Sequence, residues 1–478
     1  MNLADLILEH PFNDDEPLLH DLERSWSAGE VRHEVRSLAQ QLESMGCARR
    51  GVAVNLARGA DVVLAMAAIW HADAVFVPVN PRLPTRAVAE LVERLRPALM
   101  IDADGVHTVE AEAAAYDEGD AFVLWTSGTT GDPKPVLNTH DGYIELIDRV
   151  LAPLRGGRDP GDRSAKKPTP NLIPVSMALN AGIYNALFGL RAGAELVVMD
   201  RFATGDFATL VRRHQIRSTI LPPAAMAMLN DDPEVGDLGP LRYVRSVTAP
   251  LSPFQARRFA DRFGAIVLNG YGQAEMGEVI GWTAADAKAH PEKLGAAGRP
   301  HPGVSARIDN PDANGVGELL VRPPLVWDDT RRAVLADRLT DDDHIRTGDL
   351  ARIDDDGYVW IEGRVGDVIN RGGNKVVPTE VEEVLTALPQ VSEAAVVAAP
   401  DERLGQVPVA FVVERQPVDD RALEQACRDA LVPYKVPVRY ERVDAIPRSE
   451  VGKVLRRQLE EGQIEEGQIE EGQIEEGL

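Results

Sequence analysis

Cysteine is scarce in this chain of 478 residues, and so are long apolar runs. The two cysteines, Cys47 and Cys427, cannot build a disulfide framework or a zinc site made of cysteines, and they fit a reducing, cytoplasmic setting. The longest apolar run, Val62–Trp70, has nine residues, far fewer than the roughly 20 that a membrane-spanning helix needs. The N-terminal segment lacks a basic stretch followed by an apolar one, so we expect no secretion signal.

Positive charge is also in deficit, because 51 lysines and arginines face 76 aspartates and glutamates and leave a net charge of −25. Affinity for nucleic acid comes largely from neutralising phosphates, so we expect no nucleic-acid partner for an acidic body. Eight of the glutamates lie in the last 19 residues, 460–478, where the sequence EEGQI repeats. A period of five lines no face of a helix, so we predict a disordered tail, with an acidic interaction tail as the alternative.

Short apolar, β-prone runs alternate with helical patterns along most of the chain. Periodic stretches such as Ala87–Leu95 and Gln255–Phe263 separate them. The predicted strands are Gly51–Leu56, Val75–Val79, Ala121–Trp125, Glu195–Met199, Ser218–Leu221, Val244–Val247 and Ala265–Leu268. This alternation predicts α/β layers with mostly parallel sheets, in which ligands bind beyond the carboxyl ends of the strands.

The pattern changes from about Tyr358 onward. The runs GYVWIEGR and PVAFVV look like strands, and Thr379–Leu388 looks like a helix in which Thr379 and Glu382 form a capping box behind Pro378. The remaining length of about 110 residues is that of an independent domain, so we predict a small α+β domain here.

The segment Leu124–His140, LWTSGTTGDPKPVLNTH, is rich in hydroxyls and glycines. It follows the predicted strand Ala121–Trp125 and precedes a helix expected from about Asp141. In a loop between a strand and a helix, backbone N–H groups can face an anion, glycines allow close approach and a lysine adds charge. The residues of this candidate loop are Thr126, Ser127, Gly128, Thr129, Thr130, Gly131 and Lys134. The alternative is a flexible surface turn.

The stretch Trp125–Lys134 resembles the phosphate loop of the adenylate-forming superfamily, which includes acyl-CoA synthetases, luciferases and the adenylation domains of peptide synthetases. The family pattern continues with glycine where this chain has Pro135. Four further segments resemble family motifs in the family's order: NGYGQAE at Asn269–Glu275, RTGDL at Arg346–Leu350, GRVGDVIN at Gly363–Asn370 and PRSEVGK at Pro447–Lys453. The resemblance covers nearly all of the chain apart from the tail.

The resemblance implies a two-domain α/β architecture. A large N-terminal domain, residues 1–365, would contain layered α/β sheets plus a β-barrel-like subdomain, and a smaller, mobile α+β domain would span residues 367–459. The hinge by alignment is Gly366, where the family usually has Asp or Lys. Glycine absorbs changes of φ and ψ easily, so the small domain is free to turn between two halves of a reaction.

The resemblance also implies an activity. In the family a carboxylate first attacks the α-phosphate of ATP and expels pyrophosphate, and a thiol then attacks the acyl carbonyl and expels AMP. ATP, Mg²⁺ and coenzyme A are the implied cofactors, and a small carboxylic acid and coenzyme A are the implied partners. Such chemistry asks mainly for positioning and for charge placed where negative charge develops.

Each motif assigns residues to the nucleotide by resemblance. The loop would hold the β- and γ-phosphates, with Thr130 and Lys134 acting in catalysis, and Glu275 would act in catalysis and help hold Mg²⁺. Tyr271 would stack on adenine, and Asp349 would accept hydrogen bonds from the ribose. The other implied nucleotide-binding residues are Asn269, Gly272, Ala274 and Arg364.

The small domain carries the remaining implied residues. Lys453 would bridge the acyl carboxylate and the α-phosphate during the first half-reaction. After the domain turns, a glycine-rich segment would reach the thiol channel instead. Its implied residues are Arg371, Gly372, Gly373 and Lys375.

The acyl pocket is less clearly marked. In the family the stretch that here reads PVSMALNAG commonly carries His or an aromatic residue, and this chain has Met177 and Asn180 at the pattern positions. With Ala249 they are the candidate acyl pocket, although core packing explains Met177 equally well. Relatives that activate amino acids carry an Asp here, and residues 172–190 contain none. A buried, unpaired amine is costly, so we expect a hydrophobic, non-amino acid.

Three departures from the family pattern leave the first half-reaction open. Ala274 replaces the usual threonine, Pro135 removes a backbone donor, and Val247 stands where the family often has glycine. We favour an acyl-CoA ligase that carries out both steps, because the two motif lysines and Glu275 are retained. The alternatives are an enzyme that forms only the thioester from an adenylate supplied by a partner enzyme, one that loads the phosphopantetheine of an acyl carrier protein, and a noncatalytic nucleotide-binding scaffold.

Overall fold

The computed structural model describes residues 1–109, 112–126, 134–155, 168–246, 251, 253–273, 276–324, 335–448 and 454–461, with the side chains of 125–126, 134, 153–155 and 253–254 outside that description. The contacts divide the chain into two compact units. The first comprises Met1–Val247, Phe259–Leu268 and Gly272–Glu278, and the second comprises Thr248–Arg258, Asn269–Tyr271 and Val279–Leu478. Among the described residues, no helix is both long and apolar enough to cross a membrane.

Helices occur throughout the described chain. Their bounds are α1 Asp5–Leu8, α2 Ala28–Ser44, α3 Gly59–His71, α4 Thr85–Leu95, α5 His140–Arg155, α6 Asn180–Arg191, α7 Thr204–Arg213, α8 Pro223–Asp231, α9 Pro253–Phe263, α10 Ala284–Ala289, α11 Pro378–Thr386 and α12 Asp420–Ala430. Short 3₁₀ helices span Pro291–Lys293, Ala336–Arg338, Val365–Asp367 and Pro433–Lys435.

Strands alternate with these helices in the first half and follow one another in the second. They are β1 Pro17–His20, β2 Ser25–Ser27, β3 Gly51–Val54, β4 Val75–Pro78, β5 Leu99–Asp102, β6 Gly105–Thr108, β7 Asp120–Thr126, β8 Lys134–Thr139, β9 Asn171–Ile173, β10 Leu196–Val198, β11 Ser218–Leu221, β12 Tyr243–Ser246, β13 Ile266–Leu268, β14 Tyr271–Gln273, β15 Gly277–Gly281, β16 Arg299–Pro300, β17 Ser305–Asp309, β18 Gly317–Arg322, β19 Ile345–Ile353, β20 Val359–Arg364, β21 Ile369–Arg371, β22 Asn374–Val376, β23 Val391–Asp401, β24 Gly405–Glu414 and β25 Arg439–Arg442.

The first unit contains two sheets built mainly from parallel strands. In one the order is β13-β12-β11-β9-β10-β1-β2, and the β1–β2 pair at its edge is antiparallel. In the other the order is β6-β5-β3-β4-β7-β8, with parallel pairs at the centre and antiparallel strands at both edges. Every strand predicted from the sequence is present. The predicted α/β class with mostly parallel sheets is confirmed.

Helix α3 lies in the core of the first unit, because its sequence is apolar on every side. Every residue from Val62 to Trp70 is buried, and the Trp70 indole N–H donates to the Ala121 carbonyl oxygen at 2.7 Å. Helix α2, which packs against α3, is instead amphipathic and begins with a capping box between Ser27 and Glu30. The longest apolar run of the sequence is therefore a core helix.

The second unit contains an antiparallel sheet of order β17-β18-β19-β20 and a second sheet of order β22-β21-β24-β23, in which β25 pairs with β24. Helices α11 and α12 share a buried apolar cluster with the second sheet. The cluster includes Ile369, Val381, Leu385, Val396 and Leu423. Strands and helices thus share one core here, as predicted for the segment after Tyr358.

One local prediction in the second unit is wrong. Helix α11 begins at Pro378 and not at Thr379, and no described side chain caps it. The Thr379 hydroxyl donates to the Glu362 carbonyl oxygen, and the Glu382 carboxylate accepts from the Val396 N–H at 2.7 Å. Because proline has no N–H to satisfy at the first helical position, both residues of the expected capping box are available for contacts with other elements.

Candidate active site

The predicted phosphate loop joins two antiparallel strands. Strand β7 pairs with β8, and Thr126 lies opposite Lys134 where the pairing ends. The helix expected from about Asp141 is present as α5, which begins at His140, but strand β8 lies between the loop and that helix and was not predicted. Strand β8 escaped prediction because Pro135 argues against a central strand. It is an edge strand, where sheets accept proline.

Several predicted site residues lie outside the described part of the chain. They are Ser127, Gly128, Thr129, Thr130, Gly131, Ala249, Ala274, Glu275 and Lys453, together with the side chains of Thr126 and Lys134. Their roles stay predictions. Within the described ranges, no group of three or more His, Cys, Asp or Glu side chains is placed to hold a metal ion. The assignment of Mg²⁺ to Glu275 therefore depends on the motif alone.

Three predicted nucleotide-binding residues of the second unit contact one another. Asp349 in β19 lies directly opposite Arg364 in β20. The Asp349 carboxylate accepts from the Tyr271 hydroxyl at 2.6 Å through Oδ2 and from Arg364 Nε at 2.8 Å through Oδ1. Tyr271, Asp349 and Arg364 form what we call the Asp349 cluster. It joins three of the sequence motifs in one place.

The backbone before Asp349 explains why its motif contains threonine and glycine. The Thr347 hydroxyl donates to the Leu319 carbonyl oxygen at 2.7 Å and accepts from the Asp349 N–H at 3.1 Å. Gly348 has a φ of 73°, in the left-handed region that favours glycine. The sequence Thr-Gly-Asp therefore fixes the strand segment that carries the carboxylate. Thr347 was not among the predicted site residues, although it belongs to the RTGDL motif.

The charges of the Asp349 cluster suit a carboxylate that accepts hydrogen bonds. Asp349 is 7% exposed. Burial, and then the neighbouring Asp349, raises the pKa of Tyr271 well above its ordinary value, so the phenol keeps its proton and donates it. Burial alone would lower the pKa of Arg364, but Asp349 raises it, so the guanidinium stays charged. A carboxylate offers about four acceptor positions, and a buried, charged acceptor of this kind fits a ribose diol.

Glycine is required directly after Tyr271. A Cβ atom on Gly272 would lie 2.1 Å from the Gly277 carbonyl oxygen, which is closer than side chains tolerate. The half-buried Asn269 accepts from the Gly270 N–H at 3.1 Å through its side-chain oxygen. The sequence NGYG thus reflects close backbone packing, and the stacking of Tyr271 on adenine stays a prediction.

In the first unit, Met177 lines a cavity at the carboxyl ends of β3, β4, β9 and β10. In parallel sheets this is where ligands bind. The lining combines apolar side chains of Val54, Val62, Val79, Ala178 and Met199 with polar groups of Asn80, Arg82, Ser176 and Asp200, and the polar groups make up the larger part of its accessible surface. Met177 itself is 2% exposed. We refer to this feature as the Met177 cavity.

Asn180, the other described residue of the predicted acyl pocket, begins helix α6. Its Oδ1 accepts from the buried Tyr143 hydroxyl at 2.8 Å. One turn along the helix, burial and then the nearby Glu278 raise the pKa of Tyr184. Glu278 is paired with Arg245 in β12. No motif signals these polar neighbours of α6, because they come from segments far apart in the sequence.

The predicted thiol-channel residues form a hairpin. Strands β21 and β22 are joined by Gly372 and Gly373, whose φ angles are 59° and 88°. Two consecutive positive φ values are typical of the type I′ turn, which favours glycine pairs. The Arg371 guanidinium donates to two backbone carbonyl oxygens in residues 434–436, at 2.9 and 3.1 Å, whereas Lys375 is exposed. Contact of this hairpin with a thiol substrate stays a prediction.

The predicted hinge residue, Gly366, lies in the 3₁₀ turn Val365–Asp367. A Cβ atom there would meet nothing within 4 Å, and the φ angle lies outside the positive range that favours glycine. The position therefore has room for a Cβ atom and does not require glycine for its backbone angles. The domain boundary at Gly366 and the turning motion stay predictions.

Two protein-family models match this chain. The model described as AMP-binding enzyme matches residues 11–328, and the model described as AMP-binding enzyme C-terminal domain matches residues 380–453. The predicted order of a large N-terminal domain and a smaller C-terminal domain is confirmed.

Curated relatives include CoA ligases and a carrier-protein ligase. The chain is 32% identical over 400 residues to the sulfoacetate–CoA ligase of Cupriavidus necator, covering 78% of this chain and 75% of that protein. It is 29% identical to the probable CoA ligase CCL5 of Humulus lupulus, covering 72% of this chain and 63% of that protein. It is 32% identical to the fatty acid–[acyl-carrier-protein] ligase ScoC of Streptomyces coeruleorubidus, covering 71% and 66%. The matches thus span less than two thirds of the length of two of these relatives.

Solved structures share the fold over almost the whole chain. ATP-bound MatB from Rhodopseudomonas palustris aligns with a TM-score of 0.81 at 24% identity, covering 97% of this chain and 99% of that one. The amide bond synthetase McbA from Marinactinospora thermotolerans aligns with a TM-score of 0.78 at 26% identity, covering 96% and 98%. The predicted fold class is confirmed by these likenesses.

Proposed function

The chain belongs to the AMP-binding enzyme family, and from that premise we propose that it is an acyl-CoA ligase for a hydrophobic, non-amino carboxylic acid. A carboxylate oxygen of the acid attacks the α-phosphorus of ATP, the bond to pyrophosphate breaks, and acyl-AMP forms. The sulfur of CoA then attacks the acyl carbon, and AMP leaves with the electrons of the broken C–O bond.

The Asp349 cluster is the observation that carries this proposal. Tyr271 and Arg364 hold the buried carboxylate from two sides, so it does not have to be ordered when a nucleotide binds. A carboxylate can accept from two neighbouring donors, which suits the two vicinal hydroxyls of a ribose. A nucleotide held this way presents its phosphates away from the sugar, which leaves their chemistry to other residues.

We assign the phosphates to the loop between Thr126 and Lys134 and the bridging of acid and α-phosphate to Lys453. A lysine is suited to both roles because its ammonium group is a compact charge with three donors. Mg²⁺ supplies charge neutralisation on the phosphates when it is bound, and we assign it to Glu275, because hard cations prefer oxygen ligands.

The Met177 cavity supports a hydrophobic acid. The apolar part of its wall offers Met177 and Met199, whose flexible thioethers adapt to varied shapes, beside Val54, Val62 and Val79. Residues 172–190 contain no aspartate to pair with an amine. Asp200, an acidic residue of the lining, already accepts from the Gly59 N–H at 2.7 Å, so an ammonium group would have to compete for that carboxylate.

Free CoA is the thiol that we propose, and a carrier-protein phosphopantetheine is the second candidate. The similarity to the fatty acid–[acyl-carrier-protein] ligase ScoC supports the second candidate. Both acceptors present the same sulfur chemistry. Competition between CoA and a phosphopantetheinylated carrier protein for one acyl-adenylate pool, read by mass spectrometry, decides between them.

The proposal is tested by incubating the full chain with ATP, Mg²⁺ and a panel of short-, medium- and long-chain and aryl carboxylic acids. Pyrophosphate release should require both ATP and an acid, and acyl-CoA should form when CoA is added. Absence of both products with every acid would refute the proposal. If synthetic acyl-AMP and CoA react while acid and ATP do not, the enzyme forms only the thioester.

A further inference from the structure

Arg456 is held by three segments of the second unit. Its Nε donates to Asp367 Oδ2 at 3.1 Å, and its two terminal nitrogens donate to the two oxygens of Glu382 at 2.6 and 3.2 Å. One of these nitrogens also donates to the Val396 carbonyl oxygen at 3.3 Å. The Arg456 side chain is 16% exposed. The planar guanidinium of Arg456 thus donates to several fixed acceptors at once, and we call this arrangement the Arg456 clamp.

The partners of Arg456 belong to functionally distinct places. Asp367 directly follows the predicted hinge residue Gly366. Glu382 lies in α11, and its Oε1 also accepts from the Val396 N–H in β23 at 2.7 Å. One side chain therefore connects the turn at the predicted hinge, helix α11 and strand β23, which pairs with β24.

Arg456 also lies three residues after Lys453. The described residues that precede and follow the segment of this lysine are paired with each other. Arg448 forms an antiparallel bridge with Val454, and the Leu455 N–H donates to the Pro447 carbonyl oxygen at 2.8 Å. On the N-terminal side of the lysine, the Arg448 guanidinium donates to Glu393 at 2.5 Å. The described residues on both sides of 449–453 are thus paired with each other, and Arg456 lies just beyond this pairing.

We propose that Arg456 is a positioning residue for Lys453. It ties the chain just after the lysine to Asp367, next to the predicted hinge residue Gly366, so that a turn at Gly366 moves this part of the chain together with the small domain. This inference depends on the proposed function, because it gives Lys453 its part in the first half-reaction. The contact acts on the lysine's position and not on ATP or the acid.

The test compares the two half-reactions in the full chain. Arg456→Gln should lower kcat for acid-dependent ATP–pyrophosphate exchange by about 10- to 100-fold, the loss expected when a reacting group is misplaced by an ångström, with little change in the KM for ATP. The reaction of synthetic acyl-AMP with CoA does not use Lys453, and it should stay within about threefold of wild type. Arg456→Lys, which keeps the charge but not the fork, should restore part of the loss.

Asp367→Asn provides a second route that disturbs less buried structure, since the Asp367 side chain is 36% exposed. It should reproduce the selective loss. The Asp367→Asn, Arg456→Gln double variant should be no slower than Arg456→Gln alone, because Arg456→Gln already removes the contact with Asp367. Arg457→Gln is the matched control. Arg457 is the next residue, is 83% exposed and reaches only Glu461 among its described ion-pair partners, so it should leave both half-reactions unchanged.

Outcomes of this test separate the inference from the proposed function. If wild type shows exchange and the Arg456 and Asp367 variants lose both half-reactions equally, Arg456 only supports the fold and the inference is wrong. Normal exchange in both variants refutes it as well. If wild type itself shows no exchange with any acid while acyl-AMP and CoA still react, the first half of the proposed function fails.

Discussion

The Asp349 cluster and the Met177 cavity differ in how their side chains are held in place. In the Asp349 cluster, every member is fixed by a hydrogen bond to another member, and strand pairing places Asp349 opposite Arg364. In the Met177 cavity, the buried Met177 and the neighbouring valines are held by packing, and polar residues such as Asp200 complete the lining. The Asp349 cluster therefore depends on directed contacts and tolerates little change, whereas the acid preference of the Met177 cavity depends on its volume and can be altered.

The largest effect is expected from removing the centre of the Asp349 cluster. Asp349→Ala leaves Tyr271 and Arg364 without their shared acceptor and removes the proposed ribose contact. We expect kcat/KM for ATP to fall by about 10²- to 10³-fold, the loss typical of removing one preorganised polar group. Steady-state kinetics of pyrophosphate release measures this.

Asp355→Asn is the control for that substitution, because Asp355 is an exposed aspartate in the turn between the same two strands. It should behave like wild type. An Asp349→Ala enzyme with an unchanged KM for ATP would place the nucleotide elsewhere and would remove the contrast between the two sites.

The Met177 cavity should respond in selectivity more than in rate. Met177→Ala enlarges the cavity, and the enzyme should shift its preference toward bulkier acids by about 10- to 200-fold in relative kcat/KM, the usual range for a few methylenes in an apolar pocket. Thermal or denaturant unfolding should show a cost of about 2–5 kcal/mol for the lost packing.

Met228→Ala is the matched methionine control, since Met228 lies in α8 of the same unit and is 50% exposed. It should change neither stability nor the acid profile. A Met177→Ala enzyme that is destabilised but keeps the wild-type acid profile would show that Met177 is core packing and that the acyl group binds elsewhere.

A smaller effect is expected from trimming one hydrogen bond of the Asp349 cluster. Tyr271→Phe removes the hydroxyl that donates to Asp349, so the KM for ATP should rise by about 2- to 10-fold, the value of a single hydrogen bond. Because the raised pKa keeps the wild-type phenol protonated, both enzymes should show the same pH profile of KM between pH 6 and 9. A new inflection in this range in wild type alone would contradict that assignment.

The smallest effect is expected at Gly366, outside both sites. Gly366→Ala should stabilise the chain by about 0.4–1 kcal/mol, because the position has room for a Cβ and an ordinary φ. Gly315→Ala is the matched comparison: it also has room, but its φ is 79°, so the same change should destabilise. Denaturant unfolding measures both, and destabilisation by Gly366→Ala would show that glycine is needed there.

The sequence predicted the Asp349 cluster better than its surroundings, for physical reasons. Short motifs can specify polar clusters, because Thr347 and Gly348 act on Asp349 locally. Strand β8 was missed because its proline is acceptable only at a sheet edge, and edge position is a property of the whole sheet. The capping box at Thr379 was wrong because tertiary partners competed successfully for both side chains.

Contacts between distant segments were beyond sequence reasoning altogether. The Arg456 clamp unites residues that are 89 and 74 positions apart, and each residue alone has the composition of an ordinary surface charge. The apolar residues that line the Met177 cavity are likewise of types that are common at any buried strand end. A single sequence carries no signal that separates a packed wall from a binding wall.

The cross-strand pair of Thr126 and Lys134 makes the loop between them exchangeable. The pairing of β7 with β8 continues from this pair to Asp120 and Thr139, so replacing residues 127–133 by a relative's sequence of the same length should keep Thr126 opposite Lys134. The proposed phosphate-binding loop can therefore change in evolution independently of strands β7 and β8. Grafting residues 127–133 alone would transfer the loop sequence and leave the two strands as they are.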